Sequence, residues 1–366
     1  MKKELLELTK RLIQIPSISD DIEQLNNIVN FVEQYFSNID NIFIKKFEFN
    51  KKPSIIISNF DWKRADIVLN WHLDVVPPSE KNQFEPYEKD WKLYWRGAWD
   101  MKSGDAIMMA LMKNLLKSDF KKKKIMLMLT TDEEVWGFDW VGKLVKLWYW
   151  GDVVLIPDGW SLKDIVHAEK GIIHLEVKFY WHSCHSSRPW LWENAIDNMI
   201  KFYQALRLYI QNYRKLYLTE THWWSSVNLN VVSGGKATNI IPDEVIWKFD
   251  IRFTEEFSMD ELLTYIHNLV DKYNGQVIGK LTWDILYTDA ADLQLQKYYN
   301  IAKKIIGEDV NFVKEHWASD GRFFAAKWSK VILHRPTCWN VHWKRERVNI
   351  DDLEKIYKCF EKFILD

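Results

Sequence analysis

The chain has 366 residues, too many for one ordinary hydrophobic core and about right for two domains. Its 50 Lys and Arg almost cancel its 51 Asp and Glu, which argues against nucleic acid or an anionic membrane as the main partner. Cys184, Cys338 and Cys359 are widely spaced with no CxxC pair, so neither a disulfide framework nor a cysteine zinc site is indicated.

Leu5, Leu8, Leu12 and Ile15 recur at helical spacing and stop at Pro16. This amphipathic start lacks the apolar core of a signal peptide, and no run is long enough to span a bilayer, so a cytoplasmic protein is expected. A second helix is predicted over Asp21–Phe36, then β-rich runs at Ile42–Phe49 and Ser54–Ser58. Ile67-Val68-Leu69 leads into His72, and Ser103–Leu116 is a strong helix candidate with Asp100 just before it. Lys121–Lys124 reads as a solvated loop. Ile125–Leu129, Val153–Ile156 and Val331–Leu333 are unbroken apolar runs. They end respectively at Thr-Thr-Asp-Glu-Glu, at Pro157-Asp158, and in a loop that carries His342. Apolar runs alternating with helices predict an α/β fold with a buried, mainly parallel sheet, its functional residues at one edge.

The middle of the chain reads differently. Strands at Ile172–Tyr180, Ser226–Val232, Glu244–Phe253 and Gln276–Leu281 interleave with helices at Asn194–Ile210 and Met259–Tyr273. The order β-α-β-β-α-β is that of an inserted ferredoxin-like domain. The expected organisation is a catalytic domain of residues 1–171 and 282–366, with residues 172–281 as a lid and dimerisation domain.

His72, Asp74, Asp100, Glu133-Glu134, Asp158 and His342 carry the chemistry. Each has a bland alternative: Asp-Glu-Glu is usually solvated loop, Asp100 could cap a helix, and Asp158 could start a turn. The bland story must apply five times, each time beside an apolar run or a helix start. Imidazole nitrogen and carboxylate oxygen suit zinc, and one carboxylate can bridge two ions. Asp100, alone between the two His groups, suits the bridge. Asp74, two residues beyond His72, suits holding that ring in one tautomer. Of the adjacent Glu133 and Glu134, one could ligate while the other takes a proton from water. A metal-dependent hydrolase is the leading reading.

Longer strings then become recognisable. Asn70-Trp71-His72-Leu73-Asp74-Val75-Val76-Pro77, Arg96-Gly97-Ala98-Trp99-Asp100-Met101-Lys102-Ser103-Gly104 and Thr130-Thr131-Asp132-Glu133-Glu134 are the first three. His185-Ser186-Ser187-Arg188-Pro189, Glu193-Asn194-Ala195, Asn239-Ile240-Ile241-Pro242, Asp250-Ile251-Arg252, Ser319-Asp320-Gly321-Arg322-Phe323 and Asn340-Val341-His342 follow. In this order, over nearly the whole chain, they resemble the dinuclear-zinc amidohydrolases that include acetylornithine deacetylase, succinyl-diaminopimelate desuccinylase, aminoacylase and carboxypeptidase G. The resemblance implies His72, Asp100, Glu134, Asp158 and His342 as ligands of two divalent ions, Zn2+ with Co2+ as a substitute. It implies Glu133 as general acid/base, Asp74 as its catalytic neighbour, and His185 reaching into a partner subunit's site to stabilise the oxyanion. Asn239, Arg252 and Gly321 would contact substrate, Arg252 through a forked carboxylate pair. The implied protein is a homodimer that hydrolyses the amide of N-acyl amino acids, with a dipeptidase or carboxypeptidase as runner-up. A catalytically dead binding module is the alternative of another class. Asp158 replaces the Glu usual in desuccinylases and Ala318 their Thr, whereas Ser319–Phe323 leans toward them, so the substrate stays open.

The 21 Trp against 13 Gly are out of proportion for an α/β enzyme. Trp71, Trp95, Trp99, Trp136, Trp160, Trp181, Trp192, Trp317 and Trp339 fall where the resembling motifs carry Gly. Trp91, Trp140, Trp148, Trp150, Trp224, Trp283, Trp328 and Trp343 fall in turn-like contexts, Trp190 looks genuine, and Trp62, Trp223 and Trp247 are unassigned. An indole at a left-handed glycine position costs about 1–2 kcal/mol, and a dozen such sites would exceed a net stability of roughly 5–15 kcal/mol. The expectation is that these are UGA codons read as glycine in the source, deliberate replacement being the alternative. As written, the chain is expected to fold poorly or lack activity.

Overall fold

The computed structural model describes residues 1–118, 120–135, 137, 140–214 and 222–366, with residues 213 and 214 as backbone alone. Two compact units emerge. One comprises Met1–His167, Thr288–Val313 and Ser319–Asp366, the other Ala168–Tyr287 and Lys314–Ala318.

In the first unit four neighbouring strands run parallel, in the spatial order Ile125–Thr130, Arg64–His72, Trp150–Ile156 and Lys330–Leu333. The first is buried along its whole length, as expected of a strand covered on both faces. An antiparallel hairpin, Phe43–Phe49 with Lys52–Ser58, extends one side, and Asp164–Glu169 pairs antiparallel on the other. The fold is therefore mixed α/β around a mainly parallel sheet, as the alternating apolar runs predict. Register brings the strand ends level: His72 pairs with Thr130, and Leu333 with Ile156. The segments after these ends carry Asp74, Glu133-Glu134 and Asp158.

Helices Lys2–Ile13, Lys102–Lys117 and Ile350–Leu365 pack against one another, and Lys102–Lys117 also meets the two strands Arg64–His72 and Ile125–Thr130. Ile350–Leu365 and Leu293–Ile306 were not among the predicted elements. Yet Leu353, Ile356, Tyr357, Phe360 and Phe363 recur at helical spacing and are buried.

The second unit is a four-stranded antiparallel sheet in the order Ser226–Gly234, Glu244–Phe253, Gly171–Tyr180, Gly275–Trp283. Its helices Ala195–Arg214 and Met259–Lys272 complete the chain order β-α-β-β-α-β, the split arrangement of ferredoxin-like folds. Inward-facing Ile173, Leu175, Val177 and Phe179 alternate along one strand and share a core with Phe202, Leu206, Phe249 and Ile266.

The tryptophans divide by backbone geometry. Trp91, Trp95, Trp148 and Trp328 have φ of 60°, 155°, 74° and 62°. Among the described residues no Phe or Tyr lies in that region, although the chain has 19 Phe and 15 Tyr, so aromatic bulk as such is not placed there. Asn41, Asn50, Asn82, Asp90, Asn274 and Asn340, which share it, are the types that tolerate it, and Lys51, His222, His342 and Arg345 complete the set.

Three of these Trp sit in motifs that call for glycine. Asp90-Trp91 forms the two-residue connection between Tyr87–Lys89 and Lys92–Tyr94, both residues with positive φ, the type I′ turn that favours Asp-Gly. After helix Val141–Lys146, the Trp148 amide donates to Val145 O at 3.0 Å and the Tyr149 amide to Leu144 O at 2.9 Å. These are the paired bonds of a Schellman cap, whose left-handed residue is usually Gly. Trp328 and Ser329 repeat them onto Ala325 and Phe324 at 2.9 and 3.2 Å.

Trp71, Trp99, Trp140, Trp181 and Trp247 instead bury an indole N–H with no hydrogen-bond partner, a loss of about 1–3 kcal/mol each. Trp223 differs, donating to Glu255 at 2.7 Å. Trp150 and Trp283 lie in strands rather than the turns expected, and Trp136 lies outside the described residues.

Replacing Trp91, Trp148 and Trp328 by Gly is predicted to stabilise the chain by about 1 kcal/mol each in denaturant unfolding. The gene is predicted to carry TGA at these three positions and TGG at Trp190 and Trp223. Loss of stability on replacement, together with TGG at all five positions, would contradict the glycine reading.

Candidate metal centre

His72 ends its strand fully buried, and its Nδ1 lies 3.0 Å from the Asp74 carbonyl oxygen. An oxygen there fixes the proton on Nδ1, which turns the Nε2 lone pair outward. Nε2 then meets Asp100 Oδ1 at 3.2 Å and Glu133 Oε2 at 3.8 Å. The other Asp100 oxygen, Oδ2, lies 3.1 Å from His342 Nε2, which is 3.2 Å from Glu134 Oε2. One carboxylate thus faces an imidazole with each of its oxygens.

Asp100 precedes helix Lys102–Lys117 but does not cap it; the N-cap is Met101, with no side-chain bond. The capping alternative therefore fails. Asp74 is wholly buried and accepts from the Ser19 hydroxyl at 2.9 Å and from the amides of Glu133 and Glu134 at 3.3 Å. Its carboxylate sits 3.4 Å from His72 Nδ1, so one side chain orients both the ring and the Glu133-Glu134 segment.

Asp158 follows strand Trp150–Ile156 and is held by Arg335 at 2.9 Å and by the Gly159 amide at 2.7 Å, both on Oδ1. Asp100, Glu134 and His342 bring ligand atoms within 4.8 Å of one another; His72 joins them through Asp100, and Asp158 does not join at that spacing.

The electrostatics follow from burying many acids together. Burial would raise Asp100, but hydrogen bonds to His342 and His72 hold its carboxyl well below the usual range. Burial, reinforced by Asp320, Glu134 and Asp100, pushes Glu133 well above its ordinary value against the pull of His72. Burial pushes Asp158 up to about 6, Arg335 opposing and Asp100 adding. For His342 the carboxylates Asp100 and Glu134 outweigh burial and lift the imidazole to about 10. Glu134 Oε1 is buried without a partner, and two ring nitrogens face carboxylate oxygens. That donor set fits divalent ions of the zinc type.

The remaining expected residues lie in the second unit or at a helix start. His185 pairs across a short ribbon with Ile240, its Nδ1 lies 2.9 Å from Ser187 Oγ, and the Ser186 amide donates to Asn239 O at 3.0 Å. Arg252 is already engaged by Asp250, with Nε and Nη2 donating at 2.8 and 3.1 Å. Gly321 opens helix Gly321–Ala325 and its amide donates to Ser319 Oγ at 3.2 Å. Arg335, Ser19 and Glu346 were missed. Ser19 and Glu346 stand in loops without periodicity, so only contact in three dimensions reveals them, whereas Arg335 follows the apolar run Val331–Leu333 as Asp158 follows Val153–Ile156.

No helix among the described residues is long and apolar enough to cross a membrane. Residues 68–366 match the model of peptidase family M20/M25/M40. The chain is 26% identical over 390 residues to a succinyl-diaminopimelate desuccinylase of Hydrogenovibrio crunogenus, covering 99% of this chain and 98% of the relative. A second desuccinylase, from Nitratiruptor sp., is 25% identical over 376 residues, covering 99% of each. Among solved structures, a tripeptidase from Staphylococcus aureus superposes with a TM-score of 0.75 at 18% identity, covering 100% of this chain and 98% of that one. An M20 metallo-carboxypeptidase from Sulfolobus solfataricus gives 0.73 at 17% identity, covering 99% and 98%. The chain belongs to peptidase family M20/M25/M40 and is a metal-dependent amidohydrolase.

Proposed function

We propose that the chain hydrolyses the amide bond of N-acyl amino acids, releasing a carboxylic acid and a free amine. The observation that carries this reading is Asp100, whose two oxygens each meet a separate imidazole. His72, Asp100 and Asp158 would hold one ion, with Asp100, Glu134 and His342 holding the other. Asp158 is compatible with that role because both of its protein hydrogen bonds fall on Oδ1. Ions bound here supply a lowered water pKa and a polarised carbonyl.

Glu133 carries the proton. Its carboxyl is half-buried, raised in pKa and 3.8 Å from His72 Nε2, so it can take a proton from attacking water and return it to the leaving nitrogen. Asp74 keeps His72 and the backbone of Glu133 in register for that transfer. Two curated desuccinylase relatives that align end to end support the acyl amino acid class. The peptidase structures carry the runner-up, a dipeptidase or carboxypeptidase. His185, Asn239, Arg252 and Gly321 are proposed as the oxyanion and substrate contacts. A homodimer formed through the second unit, with His185 serving the partner's site, completes the proposal.

Three outcomes are expected of the full-length chain in glycine-restored form. Chelation abolishes activity, and zinc or cobalt restores it at about two ions per chain; full activity in the metal-free protein would contradict this. Glu133→Gln lowers kcat by roughly 10²–10⁴-fold with metal content unchanged; an unaltered kcat would remove Glu133 from the proton path. In a panel of N-succinyl-diaminopimelate, N-acetylornithine, N-acetyl amino acids and dipeptides, the highest kcat/KM falls on an N-acyl amino acid. A dipeptide in first place would favour the runner-up.

A further inference from the structure

We propose that Glu346 and Arg96 are positioning residues whose buried ion pair fixes the spacing of the three ligand-bearing loops and thereby sets metal affinity. This rests on the metal-centre reading above. The Glu346 side chain is wholly buried, and that of Arg96 is 1% exposed. Burying such a pair is no efficient route to stability, since well-packed apolar residues commonly do as well. What the pair supplies is connection.

Glu346 Oε1 accepts three amides of one short segment: Gly97 at 2.9 Å, Trp99 at 3.0 Å and Asp100 at 3.0 Å. The chain is wrapped around that single oxygen, and the Asp100 backbone is pinned at its own N–H. Glu346 Oε2 pairs with Arg96 Nη1. Arg96 Nη2 in turn donates to the carbonyls of Pro77 at 3.3 Å and His342 at 3.2 Å. Pro77 lies three residues beyond Asp74 in the segment that follows His72, and His342 is itself a proposed ligand. One guanidinium and one carboxylate therefore join the His72, Asp100 and His342 loops.

The segment has little room to adjust. Gly97 has φ +84°, and a Cβ there would come within 2.8 Å of Lys102 Cγ. Lys102 is held on its far side by Ser17 Oγ and the Leu73 carbonyl. Neither Glu346 nor Arg96 reaches an imidazole of the centre through its side chain, so their action passes through the backbone of the ligand loops.

The test measures zinc affinity by chelator competition, and the visible spectrum of the cobalt form, in the glycine-restored full-length chain and its variants. Glu346→Ala should weaken binding by roughly 10–100-fold and shift the cobalt bands. Glu346→Gln keeps an acceptor for the amides and should recover part of that loss. Arg96→Lys, which loses the second nitrogen that links Glu346 to both carbonyls, should fall between the parent and Glu346→Ala. If Glu346→Ala does not fold, Glu346→Gln and Arg96→Lys carry the test alone. A merely structural role would lower the melting temperature while leaving affinity and cobalt spectrum at parental values, and that result overturns the proposal. A parent that binds no metal overturns the metal-centre reading as well.

Discussion

A single carboxylate stands between two imidazoles, and the surrounding acids make sense only around that arrangement. Asp100 offers one oxygen to His72 and the other to His342. With the His72 proton held on Nδ1 by the Asp74 carbonyl, lone pair faces lone pair across about 3 Å unless a cation intervenes. The carboxylates Asp100 and Glu134, outweighing burial, lift the His342 imidazole to about 10. Divalent ions held by these residues would satisfy the facing lone pairs with more charge. Burial raises the pKa of Glu133 and Asp158, and the neighbouring Asp100 carboxylate adds to both.

The sheet delivers these groups. Parallel pairing puts the ends of four adjacent strands level, and the segment after each end contributes: Asp74 after one, Glu133-Glu134 after the next, Asp158 after the third, Arg335 after the fourth. Asp100 and His342 arrive from outside the sheet and need other anchors. Glu346 and Arg96 provide them from within the same unit. Strand ends are fixed by a ladder of hydrogen bonds, whereas loops are fixed only by what they touch. Two buried charges are therefore found at the loops.

What was legible in the sequence follows the same division. Ile125–Thr130 and Arg64–His72 announce themselves as apolar runs, so the parallel sheet and the residues at its edge could be read directly. Asp100 and His342 were legible as residue types in the right order, though nothing in the sequence fixed which oxygen faces which ring. Helix Ile350–Leu365 went unread although its apolar face is regular. Glu346 had no signal, because a lone charge in a polar loop looks alike whether it is solvated or buried under another loop, whereas Arg335, two residues past the apolar run Val331–Leu333, shared the placement of Asp158 and went unread. Asp158 shows the limit from the other side: its place after a strand was legible, its grip on Arg335 was not. The Trp excess was visible as composition. The left-handed backbone at Trp91, Trp148 and Trp328 adds the physical reason, since a turn and two helix caps ask for a residue without a Cβ.

The account turns on where the ions sit, and anomalous diffraction at the zinc edge from crystals of the glycine-restored chain measures that directly. Two peaks per chain are predicted, one beside His72 and one beside His342, with the Asp100 carboxylate spanning them. A lone peak, or peaks that leave Asp100 free of metal, would contradict it.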